Sequence, residues 1–330
     1  MPAKIRSLAC LAVGCLSGML TLSAHAAGLV AAGVDCQSSS RCGLYMDISG
    51  NASVNYGGSD SFSYQPAWTL GAYRSVTDGA AAMGGGGTSA LTETSNFATF
   101  GALKAMQSAG AVSQGSEQLH PYYAHASAAS WSNIGFEDRL TFNAAPSLTN
   151  TMGTMVGRIL VSGGVSASPA TYPQESSSAS AAVTVSGAGT YSVSANGSGA
   201  ASGGIPAYIT FELPVRFNST DFTALAMWLQ TSANGNLLYG FGLSHGFTAT
   251  SDFASTLEWG GIDSVRDASG NLVRGWGVTS ASGFDYSRSY AAQIAAVPAP
   301  GALWLLGSGL LGMIGVARRR GGLRRAPPLV

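Results

Sequence analysis

Charge is scarce in this chain, with 10% of its 330 residues being Asp, Glu, Lys or Arg. Sixteen acidic and sixteen basic residues balance overall, but they are unevenly placed. Between Ala27 and Ala296 all sixteen acids face only nine bases, and Lys104 is the one lysine of that stretch. Phosphate backbones need clustered Lys and Arg, so nucleic-acid binding is excluded. Cysteine is scarce too. Cys10 and Cys15 lie in the N-terminal apolar run, which leaves Cys36 and Cys42. No CxxC spacing or nearby histidine accompanies them, so a small disulfide loop in an oxidising compartment is favoured over a thiol nucleophile or metal pair. Clear helical periodicity is scarce as well, while glycine, serine and alanine abound.

The two ends carry targeting signals. Lys4 and Arg6 precede an apolar run from Ser7 to Leu22, and Ala24-His25-Ala26 sets small residues on either side of a cut before Ala27. A charged start, a short apolar core and an A-x-A site make a secretory signal peptide, read by the export translocon and signal peptidase. At the other end, Gly301 to Ala317 is uncharged, with Ser308 as its one polar residue. As a helix it is roughly 25 Å long, at the lower limit for a single transmembrane helix. Arg318, Arg319 and Arg320 follow at once, then Arg324 and Arg325. Positive charge stays cytoplasmic, so the body of the chain is expected outside the membrane.

Val297-Pro298-Ala299-Pro300, the run LWLLGSGLLGMIG and the arginines 318–320 together resemble the PEP-CTERM sorting signal. Ala299 stands where that family usually has Glu. The resemblance implies processing by an exosortase-type membrane enzyme near the proline motif, after transient inner-membrane anchoring. It divides the chain into a signal peptide (1–26), an ectodomain (27–296), a sorting signal and anchor (297–320) and a cytoplasmic tail (321–330). It implies a cell-surface or extracellular destination.

The ectodomain reads as an antiparallel β-sandwich. Tyr208 to Phe217 puts Ile209, Phe211, Leu213, Val215 and Phe217 on one face, and Pro214 on the other marks an edge or a bulge. Thr223 to Thr231 and Asn236 to Leu243 flank Asn234-Gly235, which predicts a type I′ hairpin turn. Val183 to Ser186 and Thr190 to Ser194 predict a smaller hairpin around Gly187 to Gly189. Leu257 to Val265, a turn at Asp267 to Asn271, and Leu272 to Thr279 predict another. Ser251 to Tyr286 also resembles the final β-hairpin of many PEP-CTERM proteins. Phe136 to Phe142 reads as a strand entering a turn at Asn143 to Pro146. Asn96 to Ala111 fits helix or strand. Ala80 to Gly87 and Ser166 to Ala181 read as loops. Several short strands with hairpin turns make a sandwich or related barrel.

Chemistry-bearing motifs are few. Gly242-Leu243-Ser244-His245-Gly246 matches G-x-S-x-G, but the β-branched and aromatic residues after it do not suit the helix of a nucleophile elbow. Glu137 and Asp138 are adjacent and would point to opposite faces of a strand, so they cannot share acid and base roles; a solvated strand edge is expected. His120 and His125 lack a third ligand, and Asp263, Asp267 and Asn271 lack a calcium-loop spacing. No cofactor, metal site or enzymatic activity is expected. Two functions remain: a non-enzymatic structural or biofilm-associated matrix protein, and a carbohydrate-binding sandwich that meets extracellular polysaccharide through aromatic rings. For the second, Trp259 and Trp276 in glycine-flanked segments are the surface candidates, and Trp228 is ambiguous.

Overall fold

The computed structural model describes residues 43–54, 58–69, 73–84, 88–114, 124–168, 175–197, 201–239 and 244–295. The signal-peptide residues Ala24, Ala26 and Ala27 lie outside these, as do Cys36, Cys42, His120, the motif Val297 to Pro300, the 301–317 anchor and Arg318 to Arg320. In chain order the first strands are β1 (Gly43–Val54), β2 (Ser59–Thr69), β3 (Tyr73–Met83), β4 (Ser89–Thr99) and β5 (Ala102–Gln114). Next come β6 (Ala124–Asn143), β7 (Met152–Ala167), β8 (Ser176–Val185), β9 (Gly189–Asn196) and β10 (Ala201–Gly203). Then follow β11 (Tyr208–Arg216), β12 (Thr223–Tyr239), β13 (Ser244–Asp267), β14 (Gly277–Ser280) and the short helix α1 (Tyr290–Ala295). Among the described residues no helix is long and apolar enough to cross a membrane.

The strands form an all-β antiparallel sandwich. One sheet runs β10-β9-β8-β12-β6-β1-β2, with β14 also on β6; the other runs β11-β7-β13-β5-β4-β3. Inward residues alternate along each strand, as the period of two requires. On β12 Leu225, Met227, Leu229, Thr231, Ala233 and Leu237 are buried. On β11 Ile209, Phe211, Leu213 and Val215 are buried, and Pro214 sits on an edge strand where no second neighbour asks for its missing amide.

The interior is graded from end to end. Leu44, Phe136, Met227, Phe211, Ile159 and Trp259 belong to a core of large side chains drawn from both sheets. Toward the other end the core is mostly alanine, including Ala52, Ala82, Ala109, Ala128 and Ala233, with Phe247 as its bulkiest member. Buried polar residues occupy both sheets as well. Gln107 Nε2 donates to Asn96 Oδ1 at 3.1 Å, and the Ser132 and Thr231 hydroxyls are 2.7 Å apart.

Several expectations meet a different outcome. Asn234-Gly235 is not a turn: both residues lie within β12, opposite Ala129 and Ala128 on one side and Ser178 and Ser177 on the other. The inward alternation runs unbroken through the dipeptide, and burial of that whole face outweighs local turn preference. Gly235 is there for clearance, because a methyl group on it would lie 2.4 Å from the Phe247 ring. Ala80 to Met83 continue β3, with Ala80 and Ala82 buried in the alanine core. Ser166, Ala167 and Ser176 to Ala181 are strand, since Ala179 and Ala181 alternate inward as small members of the core. Asn96 to Ala111 spans β4 and β5, joined at Phe100-Gly101. Gly101 has φ +83°, and a Cβ there would meet the Phe284 ring at 2.3 Å.

The last hairpin opens. After the turn, Arg266 and Leu272 form a single bridge and the Val273 amide donates to the Val265 carbonyl at 2.9 Å. The chain then crosses to the other sheet, where β14 pairs with Leu140 to Asn143 of β6. β1 pairs with β6 only as far as Glu137, so that end of β6 offers a vacant edge. The Gly187 to Gly189 hairpin forms as expected, with Val185 opposite Gly189.

Candidate functional site

The outward face of the first sheet is organised in rows that follow the strand register. Tyr45 of β1, Gly135 of β6, Trp228 of β12 and Thr184 of β8 form one row, and Trp68 of β2 lies beside Tyr45. The next row is Asp47, Asn133, Gln230 and Ala182. The one after it is Ser49, Trp131, Ser232 and Ser180. Alternation puts these side chains opposite the buried ones on the same strands.

Three rings in the first row touch. Tyr45 and Trp68 have centroids 5.4 Å apart, Tyr45 and Trp228 5.3 Å, and Trp68 and Trp228 5.6 Å at an interplanar angle of 89°. Gly135 makes room for this group, since a Cβ there would lie 2.4 Å from the Trp228 indole. Trp68 and Trp131 are each 37% exposed, which is much for an indole and leaves ring surface open to solvent. Burial, then the charge of Asp47, raises the Tyr45 phenol above its usual pKa, and its hydroxyl donates to Asp47 Oδ2 at 3.5 Å. Asp47 is the one charged residue in these three rows. Around it stand amides and hydroxyls: Ser180 and Ser232 are hydrogen-bonded at 2.8 Å, and Ser178 donates to Asn234 Oδ1 at 2.8 Å. Asn133 Oδ1 is buried without a hydrogen-bond partner. Beside Trp131 a shallow groove of about 300 Å³ is lined by Ser180, Ser192, Ser194, Gln230 and Ser232.

Trp259 does not belong to this surface. It is 0% exposed, donates from Nε1 to the Tyr286 carbonyl at 2.9 Å, and packs edge-on against Phe211 and Tyr286. Gly157 of the neighbouring strand β7 makes room for its ring, since a Cβ there would meet it at 3.0 Å, while the flanking Gly260 and Gly261 lie where the register with β7 shifts. Trp276 is half-buried and tilted against Phe142 at 6.5 Å. Trp228 faces out. Its place between the inward Leu225, Met227 and Leu229 is the signal, and on β6 the same alternation, with Ser132, Ile134 and Phe136 inward, turns Trp131 outward.

Glu137 and Asp138 do point to opposite faces, but Asp138 is not solvated. It is 0% exposed on a central strand and accepts from the Arg139 amide at 2.8 Å, the Ser282 amide at 3.1 Å and the Ser282 hydroxyl. The Tyr286 hydroxyl lies beside the same carboxylate without the geometry of an ordinary hydrogen bond. Burial raises the Asp138 pKa, and the bonds from Ser282 and Arg139 offset part of that rise. This is a structural clasp that fastens the segment after β14 to the core.

The remaining motifs are dispersed. Ser244 and His245 begin β13 and continue as strand, which leaves no helix for a nucleophile elbow. His125 lies in β6. Asp263 pairs with Arg158 at 3.3 Å, whereas Asp267 accepts from the Ser269 and Asn271 amides, so each has a local role. Among the described residues no group of three or more His, Cys, Asp or Glu side chains is placed to hold a metal ion.

No protein-family profile and no curated protein matches this chain. Among solved structures, one described as "Structural basis for the promiscuous specificity of the carbohydrate-binding modules from the beta-sandwich super family" aligns over 65% of this chain and 86% of its own. It shares 8% identity at a TM-score of 0.11, a superposition too loose to carry an argument.

Proposed function

We propose that this chain is an exported cell-surface or extracellular-matrix protein whose sandwich binds neutral polysaccharide, with no enzymatic role. The observation that supports this reading is the contacting group Tyr45, Trp68 and Trp228 on the outward face, set among amides and hydroxyls with little charge. Sugar rings present flat C–H faces that pack on indoles, and hydroxyls that need neutral donors and acceptors; a site with an apolar platform and a few polar groups meets both needs. Export rests on the signal peptide before Ala27. Sorting rests on Val297 to Pro300, the apolar run 301–317 and Arg318 to Arg320, whose resemblance to the PEP-CTERM signal implies an exosortase-type enzyme.

The binding test is retention of the purified full-length chain on regenerated cellulose, xylan, mannan and the producing cells' own extracellular polysaccharide. Wild type is retained on at least one, and Trp68→Ala with Trp228→Ala is not. Passage of wild type through all of them, or equal retention of the double variant, refutes the reading. Mass spectrometry of the mature termini tests sorting: a chain starting near Ala27 and ending near Pro300 is expected, and a retained C-terminal peptide in a host with the exosortase overturns it.

A further inference from the structure

Resting on that reading, we infer that the site is a two-station track that takes an internal segment of a linear neutral polysaccharide. The first station is Trp68, Tyr45 and Trp228; the second is Trp131 with its groove. Trp131 lies opposite Ser232, four residues along β12 from Trp228. At the rise of a strand that separates the stations by roughly 13 Å along the sheet, further than one sugar ring reaches. A site for a single or terminal sugar would need only one of them.

The ground between the stations is polar and neutral where the ligand would cross. Gln230 and Asn133 are register partners on the row between the two aromatic rows. Asn133 Oδ1 is buried and lacks a donor. That oxygen is closed to solvent, so the exposed Gln230 amide is the group on this row that a ligand hydroxyl would meet. The groove beside Trp131 adds the hydroxyls of Ser180, Ser192, Ser194 and Ser232. Ser180 and Ser232 bond to one another, and each hydroxyl keeps further hydrogen-bonding capacity.

Other occupants fit less well. An extended peptide recognises a sheet through its main chain, but β6 and β12 are paired on both edges and offer no free backbone. Acidic polymers need cations, whereas the one charge in the three rows is the Asp47 carboxylate. A neutral glycan chain needs neither.

The test is isothermal titration of the full-length chain with cello-, xylo- and manno-oligosaccharides from dimer to hexamer. Wild type should bind the longer members of one series about 10-fold more tightly than the dimer, the gain from a second ring contact. Trp131→Ala should remove that gain, so that the longer members bind no more tightly than the dimer, while Trp131→Tyr restores part of it. Gln230→Ala, on an exposed side chain, should weaken only the longer oligomers. Trp228→Ala should lose binding at every length. A wild-type affinity that does not grow with length, or a Trp131→Ala variant that keeps the growth, overturns the track and leaves the first station standing. Wild type that binds no member of any series, while Trp68 and Trp228 are intact and the chain is folded by near-ultraviolet circular dichroism, overturns both.

Discussion

Replacing Asp138 with alanine tests the clasp that holds the C-terminal part of the sandwich. The wild-type carboxylate accepts from the Ser282 amide and hydroxyl and from the Arg139 amide, and both Asp138 and Ser282 are buried. Alanine leaves two buried donors on Ser282 without this acceptor, at about 1–3 kcal/mol each, while water can reach the neighbourhood of half-exposed Arg139. Removing a buried charge returns some of that, so the net loss is about 3–4 kcal/mol. For a domain of this size that lowers Tm by roughly 10 °C. Ser282→Ala should cost about 1–3 kcal/mol, and the double variant less than the sum of the two, because the second change removes a bond already gone. Urea unfolding followed by tryptophan fluorescence measures all three. The pH dependence has a defined sign. Burial raises the folded-state pKa of Asp138 above its ordinary 3.8, so the folded protein holds this proton more tightly than the unfolded chain. The contribution is full below the unfolded value and declines as pH rises through the folded one, and Asp138→Asn should flatten that part of the profile. An Asp138→Ala variant within about 1 kcal/mol of wild type, or strict additivity with Ser282→Ala, would falsify the clasp.

Three further outcomes are expected. Gly235→Ala should destabilise the protein by about 1–3 kcal/mol, read as a shift in urea midpoint, because its methyl collides with the Phe247 ring; a neutral effect would show that β12 and Phe247 separate freely. Trp259→Ala should cost about 3–5 kcal/mol through the cavity it leaves, and the folded fraction should still bind polysaccharide; selective loss of binding would return Trp259 to the site. Cys36 and Cys42 in exported protein should resist alkylation until reduced, as judged by mass spectrometry; two free thiols would refute the disulfide.

Alternation along β11 and β12 was legible because each strand buries one face on a large core, and a period of two survives any neighbour. The same rule, carried one residue further, shows Trp228 facing away from Leu225 and Met227. What alternation could not show is which outward rings meet. Tyr45 and Trp68 come from adjacent strands and Trp228 from a third, with nine strands intervening in sequence, and only the pairing of β2 with β1 and of both β1 and β12 with β6 sets them side by side. Glycine misled twice: beside Trp259, where Gly260 and Gly261 mark a shift of register rather than the surface, and at Asn234-Gly235, where Gly235 clears space for the Phe247 ring across the interior. Asp138 likewise read as solvated, since its partner Ser282 is 144 residues away. Strand identity and the parity of each face are local, set by side chains two residues apart. The aromatic face, the clasp and the crossing of β14 depend on which edges remain unpaired once the long strands have formed, and that is decided by the tertiary structure alone.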